Sequence, residues 1–285
     1  MNAEEFIREW NDGSERLLVH TSGSTGAPKP MWVEKSRMKV SALTTCRFLG
    51  LNAGDTALLC MPLDYIAGKM MVVRAIVCGL RLIEVPPSGH PLAGLKSAPT
   101  FAAMVPMQVY NSLRVAEERR LLGSISHLII GGGAIDNDMA AELACFGNAV
   151  WSTYGMTETL SHIALRRLSG PEASEWYTPF DGVSVSLTPD GCLAIDAPDV
   201  CATTITTNDI ARLAPDGPPL PHHRAQGQRD MQRRNKDSGR GSGADACPAH
   251  RLSVHRNQAQ GPKVWRSRGA ACAIGRHGQS RGGMP

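Results

Sequence analysis

Short apolar runs and helical apolar repeats alternate along the first part of the chain. Strand-like apolar runs lie at 16–20, 57–61, 80–85, 101–105, 128–130 and 149–152. Helical spacing is found at 36–49, at 66–78, from 106 onward and at 137–146. Strands that alternate with helices are typical of sheets whose parallel strands are joined by helical crossovers. The pattern therefore predicts an α/β fold, with mixed or parallel sheets and helices, over residues 1–178.

The pattern becomes strictly alternating after Pro179. Two such runs, 183–187 and 192–195, flank the sequence Thr188-Pro189-Asp190-Gly191, and a further run covers 203–213. Pro, Asp and Gly are the residues that favour tight turns between antiparallel strands. We therefore predict a small antiparallel β subdomain over residues 179–217.

Apolar patterning stops after Gly217. Residues 218–285 contain no Phe, two Leu, two Val and one Ile, whereas Gly, Arg, Gln, Ser and His dominate. A segment so poor in large apolar residues cannot offset the conformational entropy that it would lose on folding. The sequence thus predicts a disordered tail at 218–285 in place of a third folded unit.

Charge changes sign at the same position. From Gly217 onward there are 11 Arg and 2 Lys against 3 Asp, a net charge of +10, while the preceding residues have a net charge of −6. A basic tail on an acidic body is a feature of nucleic-acid-binding arms. This tail has no Lys clusters, no interleaved aromatic residues and no RNA-binding signature, so we predict no nucleic-acid partner.

The sequence indicates a chain without a membrane span or an export signal. Apolar runs are all shorter than a bilayer-spanning helix requires. Residues 1–11 carry acidic residues and no hydrophobic signal core, which argues against export. We therefore expect a cytoplasmic protein.

A loop rich in glycine and hydroxyl residues directly follows the first strand-like run. Its two glycines permit the positive φ angles that turn amide groups toward an anion, its hydroxyls are donors, and its lysine adds a positive charge. Such a set suits a triphosphate, although composition alone also allows a Ser/Gly-rich surface loop. The loop consists of Thr21, Ser22, Gly23, Ser24, Thr25, Gly26, Ala27, Pro28 and Lys29.

Three further motifs follow this loop in a fixed order. Gly131-Gly132-Gly133-Ala134 follows a strand, Tyr154-Gly155-Met156-Thr157-Glu158 follows the next one, and Asn208-Asp209 lies in the β subdomain. Taken singly, Tyr154 could be a core aromatic residue and Asp209 a turn residue. Together with the T-S-G-S-T-G-x-P-K loop, the ordered set resembles the adenylate-forming superfamily, which includes acyl-CoA synthetases, peptide-synthetase adenylation domains and luciferases.

The resemblance implies a role for each motif. Enzymes of this kind join a carboxylic acid to ATP, release pyrophosphate, and transfer the acyl group from AMP to coenzyme A. By this resemblance the loop and Lys29 bind phosphate, Gly131 to Gly133 contact adenine, and Tyr154 stacks on it. Thr157 bonds the α-phosphate, Glu158 holds Mg²⁺, and Asp209 accepts hydrogen bonds from the ribose hydroxyls. Lys29, Thr157 and Glu158 are the implied catalytic residues, and Gly155 and Met156 complete the nucleotide contacts.

Two segments resemble one branch of the family, the o-succinylbenzoate–CoA ligases of menaquinone biosynthesis. Ala103 to Gln108 resembles a V-P-T-Q segment, and Thr157 to His162 is also similar to that branch. Tyr65 stands where the family often has the His of P-L-x-H. The resemblance implies an acyl pocket formed by Tyr65, Val105 and Pro106. A ligase for another aryl or fatty acid and an inactive ATP-binding remnant are the alternatives, and the oligomeric state stays open.

The family's G-R-x-D hinge and small C-terminal domain have no in-frame counterpart in this chain. When the codons of residues 221–236 are read one base later, they permit I-I-G-R-K-D-N-V-I-C-S-G-G-I-K, which resembles that hinge. Residues 261–266 similarly permit D-P-K-F-G-E. We therefore interpret 218–285 as an out-of-frame tail that replaces the lid domain, and expect an impaired enzyme.

Overall fold

A computed structural model describes residues 1–20 and 29–214, together with the backbone of 263–265. The helices are α1 (Ala3–Trp10), α2 (Lys35–Leu49), α3 (Ile66–Cys78), α4 (Pro106–Leu113), α5 (Ala116–Leu122) and α6 (Asn137–Ala144). The first seven strands are β1 (Arg16–His20), β2 (Pro30–Glu34), β3 (Thr56–Leu59), β4 (Arg81–Glu84), β5 (Phe101–Met104), β6 (His127–Ile130) and β7 (Ala149–Gly155). The others are β8 (His162–Arg167), β9 (Thr178–Pro179), β10 (Ser184–Leu187), β11 (Cys192–Asp196), β12 (Ile205–Leu213) and β13 (Lys263–Trp265).

A seven-stranded sheet in the order β4-β3-β5-β6-β7-β8-β9 forms the centre of the molecule. The strands from β4 to β7 are parallel, whereas β8 and β9 continue the sheet in antiparallel orientation. The predicted α/β class is therefore confirmed, and the sheet is of the mixed type. Among residues 1–20 and 29–214, no helix combines the length and the apolar character that crossing a bilayer would require.

Helices cover both faces of the parallel strands, so each face is buried in its own apolar core. Ala57, Leu59 and Phe101 pack with α1, α2 and α3 on one face. Leu58 and Ala102 point to the opposite face and pack with α4, α5 and α6. Side chains of successive strand residues alternate between faces, and strands buried on both faces become continuously apolar. This explains why these strands could be read from short apolar runs.

The two longest helices, α2 and α3, each end at a glycine in the left-handed backbone conformation. Gly50 follows α2 with φ 67° and Gly79 follows α3 with φ 66°, and only glycine adopts this conformation without steric cost. The predicted bounds of α3, residues 66–78, agree with the structure at both ends. At the start of α4, the buried Gln108 side chain accepts the amide of Val105 at 3.1 Å, and Pro106 occupies the first turn.

Two smaller sheets flank the central one. Strands β1 and β2 pair antiparallel, and His20 at the end of β1 is paired with Pro30 at the start of β2. Strands β10, β11 and β12 form an antiparallel sheet, here the β subdomain, whose apolar side packs against Tyr154, Ile163 and Ala164 of the central sheet. The backbone of Lys263–Trp265 runs parallel to the end of β12. The rest of the predicted tail, 218–285, lies outside the described residues.

Candidate nucleotide-binding site

The carboxyl ends of β5 and β6 lie side by side and carry two of the predicted segments. The amide of Gly131 donates a hydrogen bond to the last carbonyl of β5 at 3.1 Å. A Cβ atom at Gly132 would lie 3.5 Å from Val105 Cγ1, and one at Gly133 would lie 3.4 Å from Pro106 Cγ. Open α/β sheets bind their ligands outside the carboxyl ends of the strands. The structure thus brings the glycine segment and two predicted acyl-pocket residues together at that edge.

Gly131 lies where β6 and β7 approach each other closely. A Cβ atom at this position would overlap the hydroxyl oxygen of Thr153 on the neighbouring strand. Thr153 directly precedes Tyr154 in β7, so the glycine segment lies next to the end of that strand. Two of the ordered motifs therefore meet across the β6–β7 pair.

Tyr154 connects the central sheet to the β subdomain. Its hydroxyl donates a hydrogen bond to Asp209 Oδ2 at 2.6 Å, which joins β7 to β12. Tyr154 is 5% exposed, and its ring meets that of Tyr177 edge-on with the centroids 6.0 Å apart. Burial and the neighbouring Asp209 carboxylate both raise the pKa of Tyr154, so its hydroxyl stays a donor at neutral pH. The third and fourth motifs thus share one hydrogen bond.

A tight turn at Thr157–Thr159 follows β7 and carries the two predicted catalytic residues of the third motif. Thr157 is buried, whereas the Glu158 side chain is exposed. The thiol of Cys201, from the loop between β11 and β12, donates to the carbonyl oxygen of Glu158 at 3.4 Å. The turn therefore contacts the β subdomain through its backbone and leaves the carboxylate of Glu158 facing solvent.

Gly155 allows the chain to fold back over itself after β7. A Cβ atom here would overlap the carbonyl oxygen of Ser161 and would lie 2.8 Å from the amide nitrogen of His162. The pairing of β7 with β8 also shifts register between Tyr154 and Gly155. Because these neighbours are backbone atoms, no side-chain rotation could relieve the overlap. The glycine of the Y-G-M-T-E motif is thus a steric requirement of the turn.

A buried arginine lies beneath this turn and was missed in the sequence. Arg74, on α3, is 2% exposed, and its Nη2 donates to Ser161 Oγ at 2.6 Å. Its Nε has no hydrogen-bond partner among the described residues. Burial lowers the pKa of Arg74 to about 10, so it still carries a positive charge at neutral pH. A single charged residue inside the apolar run Met70–Cys78 was the signal that could have revealed it.

His162 completes the polar cluster around Arg74. Its Nε2 lies 3.1 Å from Thr45 Oγ1 and its Nδ1 lies 3.2 Å from Ser161 Oγ. Burial and the positive charge of Arg74 hold the pKa of His162 well below 6.5. The imidazole is therefore neutral, and the cluster has its net positive charge on Arg74.

The phosphate-loop residues Thr21 to Gly26 lie outside the described residues, but both ends of their loop are placed. His20, just before the loop, forms an isolated parallel bridge with Tyr65 at the start of α3. Lys29, at the other end, is exposed next to β2. Tyr65 is 46% exposed, so its ring is accessible to a ligand. The convergence of Lys29 with Glu158 stays a prediction.

Glu158 provides the oxygen donor that the predicted magnesium ion would need. Mg²⁺ in nucleotide sites is held by one or two carboxylates together with substrate phosphates and water, and does not require an all-protein cage. Among the described residues no group of three or more His, Cys, Asp or Glu side chains is arranged to hold a metal. One exposed carboxylate in the candidate site fits the first arrangement.

Comparisons with known proteins agree with the family resemblance that the motifs indicate. A family model described as AMP-binding enzyme matches residues 8–187. The chain is similar to the 2-succinylbenzoate–CoA ligase of Bacillus mycoides (strain KBAB4), with 30% identity over 166 residues that cover 56% of this chain and 34% of that protein. The ligase of the same name from Enterococcus faecalis (strain ATCC 700802 / V583) is 30% identical, covering 57% and 34%. The chain thus spans about a third of the length of these relatives.

Solved structures with the same fold include two with related names. An acyl-CoA synthetase (AMP-forming)/AMP-acid ligase II-like protein from Dyadobacter fermentans is 37% identical with a TM-score of 0.69, covering 74% of this chain and 60% of that one. The o-succinylbenzoate coenzyme A synthetase of Bacillus subtilis, in complex with ATP and magnesium, is 22% identical with a TM-score of 0.53, covering 66% and 42%. At that identity the second likeness concerns the fold alone.

Proposed function

The chain belongs to the AMP-binding enzyme family, and on that basis we propose that it carries the nucleotide site of an AMP-forming acid–CoA ligase. In the proposed reaction, a carboxylate oxygen of the acid attacks the α-phosphorus of ATP, and the bond to pyrophosphate breaks. The thiol of coenzyme A then attacks the acyl carbon, the C–O bond to AMP breaks, and the thiol proton is released to solvent. The site's contribution is to position the reactants and to stabilise charge on the phosphates.

The observation that supports this proposal most strongly is the hydrogen bond between Tyr154 and Asp209. It joins the aromatic residue of the third motif to the carboxylate of the fourth, and Thr153, next to Tyr154, contacts Gly131 at the sheet edge where α/β proteins bind ligands. In the proposed role, Tyr154 stacks on adenine and Asp209 accepts hydrogen bonds from the ribose hydroxyls. A carboxylate has about four acceptor positions, so Asp209 can bond Tyr154 and ribose together.

The residues of the turn act on the phosphates in this proposal. Thr157 bonds the α-phosphate, while Lys29 and the Thr21–Gly26 loop bind the terminal phosphates. Glu158 would hold Mg²⁺, which when bound would neutralise phosphate charge. The exposed position of the Glu158 carboxylate, which leaves it accessible to a metal ion, supports its proposed role.

We propose o-succinylbenzoate as the acid, which would place the enzyme in menaquinone biosynthesis in the cytoplasm. The proposal is supported by the names of the curated relatives and by the 103–108 and 157–162 segments. Val105 and Pro106 border the glycine segment, and Tyr65 is exposed at the start of α3, so these three residues are the proposed wall of the acyl pocket. Another aryl or fatty acid is the alternative substrate.

The predicted tail, residues 218–285, affects the rate that we expect for this reaction. In the family that the sequence resembles, the small C-terminal domain contributes a lysine to adenylation. We propose that residues 218–285 do not supply this lysine, whose loss would lower the rate by about 10²–10³. The test compares the chain as it stands with a version read in the shifted frame from codon 218, using pyrophosphate release with ATP, coenzyme A and a panel of acids. The expected result is a slow or inactive parent and an active restored version that prefers o-succinylbenzoate.

Other outcomes of this assay would change the proposal. Preference of the restored version for another acid would replace the substrate, and nucleotide binding without turnover in either version would favour an inactive remnant. Full ligase turnover by the parent chain would contradict the assignment of the tail.

A further inference from the structure

Leu160, directly after the turn at Thr157–Thr159, has a strained backbone. It is the single non-glycine residue with positive φ in the described part of the chain, at φ 64° and ψ −34°. The amide of Ser161 donates to the carbonyl oxygen of Thr159 at 2.7 Å, which closes a three-residue turn centred on Leu160. Turns of this hand are rare for residues with a side chain, and such strain persists where the surroundings enforce it.

The side chain of Thr159 joins the two ends of this strained segment. Thr159 is fully buried, and its Oγ1 accepts the amide of Met156 at 2.9 Å. The same hydroxyl has the carbonyl oxygen of Ser161 at 2.7 Å and that of Met156 at 3.0 Å as acceptors for its hydrogen. One hydroxyl therefore bonds the residue before the turn and can bond the residue after it.

Two further contacts hold the segment from outside. The buried guanidinium of Arg74 binds Ser161 Oγ from below, and the thiol of Cys201 binds the carbonyl of Glu158 from the β subdomain. Neither contact reaches the amides or carbonyls that Thr159 binds. The backbone direction between Met156 and Ser161, on which Thr157 and Glu158 depend, is thus set from within by Thr159.

We propose that Thr159 is a positioning residue of the nucleotide site, whose hydroxyl holds the strained turn and thereby directs Thr157 and Glu158 toward the phosphates of ATP. This inference rests on the proposed function. It assigns to Thr159 no contact with the nucleotide. Its effect is therefore confined to the phosphate and magnesium contacts, and the adenine and ribose contacts of Tyr154 and Asp209 do not depend on it.

The main experiment measures the affinity of the full chain for ATP with Mg²⁺ and for adenosine, which has no phosphate. Thr159→Val, which keeps the shape and removes the hydroxyl, is expected to weaken ATP binding about tenfold, the effect of losing one buried hydrogen-bonding group. Adenosine affinity is expected to stay unchanged, and Thr159→Ser is expected to restore ATP binding. Thr188→Val is the matched control, because the Thr188 hydroxyl also accepts a nearby amide, in the β10–β11 turn.

A second comparison tests the strain without any ligand. Leu160→Ala and Leu160→Gly remove nearly the same side chain, and at an ordinary helix or strand position the alanine variant would be the more stable one. At a strained positive φ the order reverses, so Leu160→Gly is expected to unfold at the higher temperature. A higher unfolding temperature for Leu160→Ala than for Leu160→Gly would contradict a strained backbone at Leu160.

The outcomes separate the two proposals. A parent chain that binds neither ATP nor adenosine contradicts the proposed function, and the role of Thr159 with it. A parent chain that binds ATP, together with a Thr159→Val variant that binds it equally well or loses ATP and adenosine affinity alike, leaves the proposed function standing and overturns the positioning role.

Discussion

Tyr154 Oη and Asp209 Oδ2 are 2.6 Å apart, so a residue of the central sheet and a residue of the β subdomain share one hydrogen bond. The two residues are separated by 55 positions in the sequence. The same region is covered by an apolar cluster in which Tyr154 packs with Leu193, Ile195 and Ala211 of the β subdomain. The hydrogen bond therefore holds the polar end of an otherwise apolar contact between the two sheets.

This bond predicts coupling between the two residues in stability. Tyr154→Phe is expected to lower the free energy of unfolding by about 1 kcal/mol, because a partly buried hydrogen bond is lost. In a double-mutant cycle with Asp209→Ala, measured by urea unfolding, the two effects are expected to be less than additive. Tyr110→Phe, at a more exposed tyrosine, is the control and should add to Asp209→Ala. Additive effects for Tyr154 would mean that the bond contributes nothing to stability.

The close backbone neighbours of Gly155 predict that a side chain at this position destabilises the fold. Gly155→Ala is expected to destabilise the fold by about 1–3 kcal/mol, because its methyl group overlaps the Ser161 carbonyl and the His162 backbone. Gly147→Ala is the control, since a Cβ atom there has no other atom within 4 Å. Thermal unfolding of both variants measures the difference. Equal stability of the two would show that the segment after β7 can move aside.

The proposed role of Glu158 predicts that its replacement weakens ATP binding only when Mg²⁺ is present. Glu158→Gln is expected to weaken ATP binding about tenfold with Mg²⁺ present and to change it little with a chelator, because only the metal contact is removed. Glu117→Gln, at another exposed glutamate, should leave both affinities unchanged. A loss of affinity that is the same with and without Mg²⁺ would assign Glu158 a different role.

His162 predicts a loss of stability in mild acid. Its pKa lies well below 6.5 in the folded chain, so below about pH 6.5 the unfolded chain binds a proton that the folded chain does not. Stability therefore falls with decreasing pH, with a contribution of about 1.4 kcal/mol per pH unit from this residue. His127, whose pKa is also lowered by burial, acts in the same direction.

The variant His162→Gln separates this contribution from that of His127. Urea unfolding between about pH 7.5 and about pH 5.5 is expected to give a flatter dependence on pH for the variant than for the parent chain. An unchanged dependence would mean that His162 takes up its proton over the same pH range in the folded and the unfolded chain, which would contradict the lowered pKa.

The central strands and helices could be predicted because burial on both faces leaves a simple record in the sequence. Strands β3, β5 and β6 are short, and apart from Thr56 and His127 at the strand starts their residues are apolar and buried. Helix α3 ends at Gly79, whose positive φ favours glycine. Strand β2, Pro30–Glu34, was missed because it begins with proline and carries the exposed Trp32. Strand β8 was missed because residues 156–161, which connect it to β7, contain no Gly, Pro, Asn or Asp that would signal a turn between antiparallel strands.

The residues of the candidate site were predicted from sequence motifs, but the contacts between the motifs were not predicted. The sequence indicated Tyr154 and Asp209 separately, while their hydrogen bond depends on how β12 packs against β7. Thr159 was missed because its proposed role arises from burial and from a strained backbone at Leu160, neither of which follows from residue type or spacing. Arg74 was missed although it is the single charged residue in an apolar run. Contacts of this kind require the folded chain.

The most direct test of the nucleotide site is calorimetric titration of the full chain with ATP and Mg²⁺, beside the Asp209→Ala variant. We expect saturable binding at one site in the parent chain, and about tenfold weaker binding in the variant, because the ribose loses a charged acceptor. The unfolding temperature of each protein, measured without ligand, confirms that both are folded. Absence of binding by a folded parent chain, or equal affinity of the parent and the Asp209→Ala variant, would contradict the account.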